Sequence, residues 1–388
     1  VFLLLSIPMH SQGRVQLSDW QTYSSLQSVR SVSVDSKNRL WCGTTGGLFV
    51  IDLTDGEVTT YRNINALLNL DVSMVRCDPA TQTVFVGCED GSLAVATEDG
   101  QFSQITEIRR ATQYQRRGLS DCVILGDNVF FATAFGIVQY NRANGVFQET
   151  IDRIGQLQRN VPVHAIAVFN NKLWAATDSG IVSAPLSASS LRQPSSWTQY
   201  TADHGVPAGS ARAVTAIGGQ LYVAVGRRLL RIDNDAFTTV SEAQSAILTI
   251  AMVDSKPTFA TADGVFSSDG RMIVDSPVPI AGHTTFSGSD ADVIMFTPDV
   301  GIARGRNGAF ETIEINSPRI RQFMSIAVDG QGRLWSGSYN DGSRTGQGIS
   351  VFDGLSWYNA SNDLAPNVRL VAAYRSEEHT SELQSRQY

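Results

Sequence analysis

One unit recurs along this chain, and it restricts the choice of fold more than any other feature. An apolar stretch leads into a short polar turn and then a second apolar stretch centred on a large residue. A Thr follows, then a Gly and an aliphatic residue that open a third stretch, and a fourth completes the unit. The large residues are Trp41, Phe85, Phe130, Trp174, Tyr222, Phe259, Met295 and Trp335, spaced by 44, 45, 44, 48, 37, 36 and 40 residues. The turn after them repeats as Thr44-Thr45-Gly46-Gly47-Leu48, Thr133-Ala134-Phe135-Gly136-Ile137, Thr177-Asp178-Ser179-Gly180-Ile181 and Thr261-Ala262-Asp263-Gly264-Val265. It returns one residue longer as Thr297 to Ile302.

A period near 40 with four short strands per unit marks a β-propeller blade. Stretches such as Val163 to Val168 are nearly all apolar, as expected of strands covered on both faces. A single blade cannot bury both faces, so the units must stack in a ring. The expected fold is therefore all-β, a β-propeller of four-stranded blades, seven- or eight-bladed. Eight units are visible, and Val368 to Tyr374 reads as the first strand of a ninth. That count permits one eight-bladed ring, or a seven-bladed ring followed by the start of a second propeller. No helical pattern longer than about two turns appears, with Asn65 to Leu70 the one place left open for a short helix. Trp20 to Tyr23 resembles the fourth strands at Trp197 to Tyr200 and Trp357 to Asn359, so it is expected to clasp the ring as an outer strand of a later blade.

The ends read differently from the middle. Val1 to Met9 is apolar and gives way to polar residues, as in the back half of an export signal, so residues 1–12 are assigned to a signal remnant. Residues 13–374 are the propeller region. Arg375 to Ser385 (RSEEHTSELQS) looks like the in-frame translation of a sequencing adapter, so residues 375–388 are set aside as an artefact tail. The net charge of −7 argues against a general nucleic-acid partner. No run of about 18 apolar residues occurs, so no complete membrane-spanning helix is expected.

The phrases Arg39 to Leu48 and Asp329 to Gly337 resemble the two-component regulator propeller repeat. Gly118 to Asp121, Thr133 to Tyr140, Glu149 to Gly155 and Ala184 to Trp197 resemble the N-terminal propeller of PorZ-type proteins. That resemblance implies an exported protein of the periplasm or outer-membrane surface, serving type IX secretion and cell-surface attachment in Bacteroidota-like bacteria. It implies secretion or surface-attachment proteins, and anionic lipopolysaccharide, as partners. It also implies a second propeller and a C-terminal sorting domain. The alternative is the periplasmic sensor of a two-component regulatory system.

No catalytic set emerges. His164, His204 and His283 show no metal-ligand spacing, and neither a Gly-x-Ser-x-Gly elbow nor a P-loop is present. The expectation is a non-enzymatic protein with no cofactor and no metal. Cys42, Cys77, Cys88 and Cys122 read as small buried apolar side chains. Ser289 to Asp292 and Asp329 to Gly332 read as turns between first and second strands. Two features suit binding. Arg109, Arg110, Tyr114, Arg116 and Arg117 share one connecting segment, where guanidinium groups could chelate the phosphates or carboxylates of an anionic glycan and Tyr114 could stack on a sugar. The plainer reading of the same segment, and the one that carries more weight, is a solvated, positively charged rim. Tyr339 to Gly348 is expected to be a long polar insertion between two strands of the eighth unit.

Overall fold

The computed structural model describes residues 22–360, apart from 98, 234, 254–255, 276–279, 281–287, 290–291, 298–300, 307–308, 320–321 and 341–344. The expected signal remnant, the tail, Trp20, Gln21 and the ninth-unit strand lie outside the described residues.

The strands form eight four-stranded antiparallel sheets, each built from four consecutive strands. Sheet one comprises Val29–Val34, Arg39–Thr44, Gly47–Asp52 and Val58–Tyr61. The first strands of the next five sheets are Val72–Asp78, Leu119–Leu125, Val163–Phe169, Ala211–Ile217 and Thr249–Val253, and that of the eighth is Phe323–Val328. All eight large residues lie on second strands.

Strand alternation divides each sheet between two cores. In Lys172–Thr177, Leu173 and Ala175 pack with Phe130, Ala132 and Ile137 of sheet three. Trp174 and Ala176 point the other way, onto Leu221, Val223 and Phe237 of sheet five. Trp41 likewise faces sheet two, while Leu40 and Cys42 face the opposite side. Burying a large apolar side chain is worth roughly 1.5–3 kcal/mol, and each sheet gains this on two faces.

The recurrent turn works as its residues suggest. Thr44 Oγ1 donates to Gly47 O at 2.8 Å and accepts from Gly46 N–H at 3.0 Å. Thr133 and Thr177 donate to Gly136 O at 2.9 Å and Gly180 O at 2.8 Å. The glycine is needed because the outer strand crosses it closely. Gly136 has φ +134°, and a Cβ there would lie 2.1 Å from Ile151 O. Gly264 avoids positive φ, yet its Cβ would still lie 2.5 Å from Val274 O.

The ring closes with seven sheets. From sheet one to sheet six the second strand of one sheet touches the first strand of the next, the outer strands of sheets six and seven touch, and the second strand of sheet seven, Asp292–Thr297, touches Val29–Val34 of sheet one. Ile302 and Ile315 share a core with Leu26, Val29, Leu40 and Cys42. Sheet eight stands outside this ring, and its first strand exposes Met324, Ile326 and Val328. It repeats sheet one closely. Asp35 Oδ2 accepts from Arg39 Nε and Trp41 Nε1, both at 2.8 Å, and the guanidinium lies 5.5 Å from the indole centroid. Asp329 Oδ2 accepts from Arg333 Nε at 2.7 Å and Trp335 Nε1 at 2.9 Å, with the same 5.5 Å stacking.

Three expectations are corrected here. The N-terminal segment fastens the ring without joining a sheet: residues 22–28 form no strand. Instead, Gly301 N–H donates to Gln27 O at 2.8 Å, and Gln27 Nε2 donates to Ile315 O at 2.9 Å and Ser317 Oγ at 3.1 Å. Tyr23 packs on Phe352 and Trp357 of sheet eight, with centroids 4.8 and 5.6 Å apart. Residues 63–66 are turns, because Asn65 Oδ1 captures the Arg62 N–H at 2.6 Å, and no helix follows. The polar insertion at 339–348 is mainly strand. Leu334–Asn340 and Thr345–Phe352 stay paired as far as Asn340 and Thr345, and the tip lies outside the described residues.

Replacing Gln27 with Ala removes both amide bonds to the end of sheet seven and should cost roughly 1–3 kcal/mol in chemical denaturation. Acid should also weaken the fold. Burial would raise the Asp35 carboxyl, but its bonds to Trp41 and Arg39 prevail and hold it below the usual range. A lowered carboxylate contributes stability above its unfolded value of about 4 that is lost as pH falls through the folded value. Asp35→Asn should therefore destabilise at neutral pH and flatten this acid loss, as read from melting temperatures across pH.

Candidate functional site

The first strands of sheets one to six line a central channel of about 790 Å³. Their inner edges would otherwise present unpaired backbone groups, and side chains from the neighbouring sheet satisfy several of them. Ser31 Oγ accepts from Val75 N–H at 3.0 Å, Ser33 Oγ from Cys77 N–H at 2.9 Å, and Asp121 Oδ2 from Ile166 N–H at 3.1 Å. Asp121 also pairs with Arg76 and holds that guanidinium well above its ordinary pKa against the effect of burial.

Each of sheets one to five begins its first strand with a bulge, which inserts one extra residue opposite the second strand. These residues are Arg30, Ser73, Ser120, His164 and Arg212. Arg30 is neutralised by Glu89 at 2.9 Å and Asp71 at 3.4 Å. Ser73 Oγ donates to Leu119 O at 2.6 Å, and Ser120 Oγ to Val163 O at 2.5 Å. His164 Nε2 lies 2.7 Å from Asp178 Oδ1, which also accepts from Ser210 Oγ at 3.2 Å. Burial pushes the imidazole below its ordinary pKa, and Arg212 and Arg116 add to this against the pull of Asp178. Arg212 was not singled out from the sequence; its signal is its place in the repeat, at the bulge one unit after His164.

The arginine segment connects the fourth strand of sheet two to the first strand of sheet three. It opens with one helical turn, Glu107–Arg110, pinned by the buried Ile108. Arg109 Nε pairs with Asp90 at 3.0 Å. Arg117 Nη1 donates to Tyr114 O at 3.2 Å. Tyr114 stacks on Phe135 with centroids 3.9 Å apart, and its hydroxyl donates to Asp152 at 3.3 Å. One face of Tyr114 is therefore covered. Arg110 and Arg116 are exposed, with Arg116 on the side toward His164.

Among the described residues, no group of three His, Cys, Asp or Glu side chains is placed to hold a metal. The four cysteines are unpaired and buried, as the sequence suggests. Burial pushes the Cys77 thiol to about 11 and that of Cys122 to about 12, so neither supplies a thiolate at neutral pH. No helix among the described residues is long and apolar enough to cross a membrane.

Residues 40–198 match the family model described as the PorZ (TSS9) N-terminal β-propeller domain. The fold is similar to PorZ of Porphyromonas gingivalis, described as an essential bacterial surface component of the type IX secretion system. That match has 14% identity and a TM-score of 0.71, and covers 89% of this chain and 46% of PorZ. It is also similar to the extracellular domain of a hybrid two-component system from B. thetaiotaomicron, at 18% identity and a TM-score of 0.59, covering 93% of this chain and 50% of that one. The chain thus spans about half the length of these structures. At such identities the structural likeness speaks for the fold alone, a β-propeller, and the family model is matched over residues 40–198 of the chain. No curated protein matches the sequence.

Proposed function

We propose that this chain is the non-enzymatic propeller part of an exported protein that serves type IX secretion at the outer-membrane surface. The observation that carries this reading is the family match over residues 40–198, which takes in the arginine segment. The segment supports a role in holding an anionic glycan such as anionic lipopolysaccharide. Arg110 and Arg116 are exposed, and Arg109 is bound only to the partly exposed Asp90, a contact an incoming phosphate could replace. The chain is acidic overall, so attraction to such a ligand has to come from a local patch. The sensor reading draws on the likeness to the two-component extracellular domain, and a bacterial mutant separates the two. Disrupting the gene should strip secreted cargo from the cell surface; intact cargo display with altered transcription would favour the sensor.

Replacing Arg109, Arg110 and Arg116 with Gln should weaken salt-sensitive binding to anionic lipopolysaccharide at least tenfold and leave the melting temperature unchanged. Binding that is equally strong in the variant, or absent in the parent, would remove the glycan role from this segment.

A further inference from the structure

We propose that the channel mouth, between Arg116, His164 and Arg212, is a site for a doubly charged oxyanion of the phosphate-monoester type. Arg116 is shared with the arginine segment, but His164 and Arg212 lie outside it, and the inference rests on their bulge positions, so the Arg212 and His164 variants test it separately from the glycan role. The bulges at the starts of the first strands of sheets four and five put His164 and Arg212 at the same level on neighbouring strands of the channel wall. Arg116 stands in the connection into sheet three, three residues before the strand Leu119–Leu125 that lines the same channel, and its charge acts on the imidazole.

What separates this part of the mouth from the rest is its charge balance. Arg30, at the matching bulge of sheet one, is neutralised by two carboxylates. Deeper in the wall, Arg76 is paired with Asp121. Arg116 and Arg212 are exposed, and neither has a carboxylate within ion-pair distance among the described residues. Among the described residues, Asp178 acts on both His164 and Arg212 and is already engaged by His164 and Ser210, while Glu89, tied to Arg30, lies against Gly118, two residues from Arg116. With the imidazole neutral, the cluster carries one net positive charge. A dianion leaves that balance negative until His164 takes up a proton. Guanidinium groups suit such a ligand because their donors match the spacing of tetrahedral oxygens. The protonated imidazole would add a charged donor and keep its contact with Asp178.

The coupling has a definite sign. Protonation of His164 strengthens the site, so affinity rises as pH falls through the imidazole range, and a bound dianion raises the pKa of His164. Sulfate is the probe of choice, because it remains doubly charged over that range. Titrating the full chain with sulfate, with chloride at matched ionic strength as the reference, should show saturable binding. This should tighten at least fivefold between about pH 8 and about pH 6. Arg212→Gln should weaken it at least fivefold, and His164→Gln should retain weaker binding without the pH dependence. In the unaltered protein, the His164 ring resonances should titrate at higher pH with sulfate present, which tests the coupling even where a variant fails to fold. Inorganic phosphate and glycerol phosphate as competitors distinguish a free anion from an esterified one, and displacement by either supports the site. Sulfate binding no stronger than chloride, binding unchanged in Arg212→Gln, or a His164 titration indifferent to sulfate would overturn the proposal.

Discussion

A four-stranded sheet with two apolar faces is unstable until both faces are covered, and every other feature of this protein follows from how that requirement is met. Period-2 alternation sends Leu173 and Ala175 to one neighbour and Trp174 and Ala176 to the other, so no sheet owns its core. Stacking sheets in this way creates a second demand, because the first and last must also find each other. Sheet seven meets sheet one through Ile302 and Ile315 against Leu26, Val29 and Leu40. The Gln27 amide completes the junction where strand pairing does not reach.

The same geometry sets what the molecule can bind. Bringing first strands together leaves a channel lined by their inner edges, and the side chains that fasten one sheet to the next are polar. Most of that polarity is consumed internally: Ser31, Ser33 and Asp121 accept backbone N–H groups, and Arg76 is tied to Asp121. Among the described residues, Arg116 and Arg212 stay exposed and act on His164 at the mouth. An acidic protein can hold an anion in this way, because binding responds to the local field more than to the net charge.

Much of the fold was legible in the sequence, because a repeat states the same local answer several times. The large residue of each second strand, the Thr and the turn Gly all sit where their spacing placed them. The count of units left seven and eight blades open, and the contact of sheet seven with sheet one decides between them. What could not be read were the non-repeating parts. Trp20 to Tyr23 has the composition of an outer strand, yet Thr22 and Tyr23 lie outside every sheet, and Tyr23 packs its ring on Phe352 and Trp357. The arginine segment looked like one basic cradle. No local pattern announces that Asp90 claims Arg109 or that Phe135 covers Tyr114. The pairing of His164 with Arg212 depends on two bulges meeting across sheets, which no local pattern announces.

The central claim is that seven sheets close the ring and the eighth stands outside it. Ending the chain after residue 322 removes sheet eight and keeps the fastening through Gln27, Ile315 and Ser317. The account predicts that this shortened chain unfolds in a single cooperative transition with near-ultraviolet circular dichroism close to that of the parent. Its melting temperature should fall by only a few degrees for the lost packing around Tyr23, on the order of 1 kcal/mol. A broad, non-cooperative melt with loss of the near-ultraviolet signal would mean that sheet eight belongs to the ring, and would contradict the account.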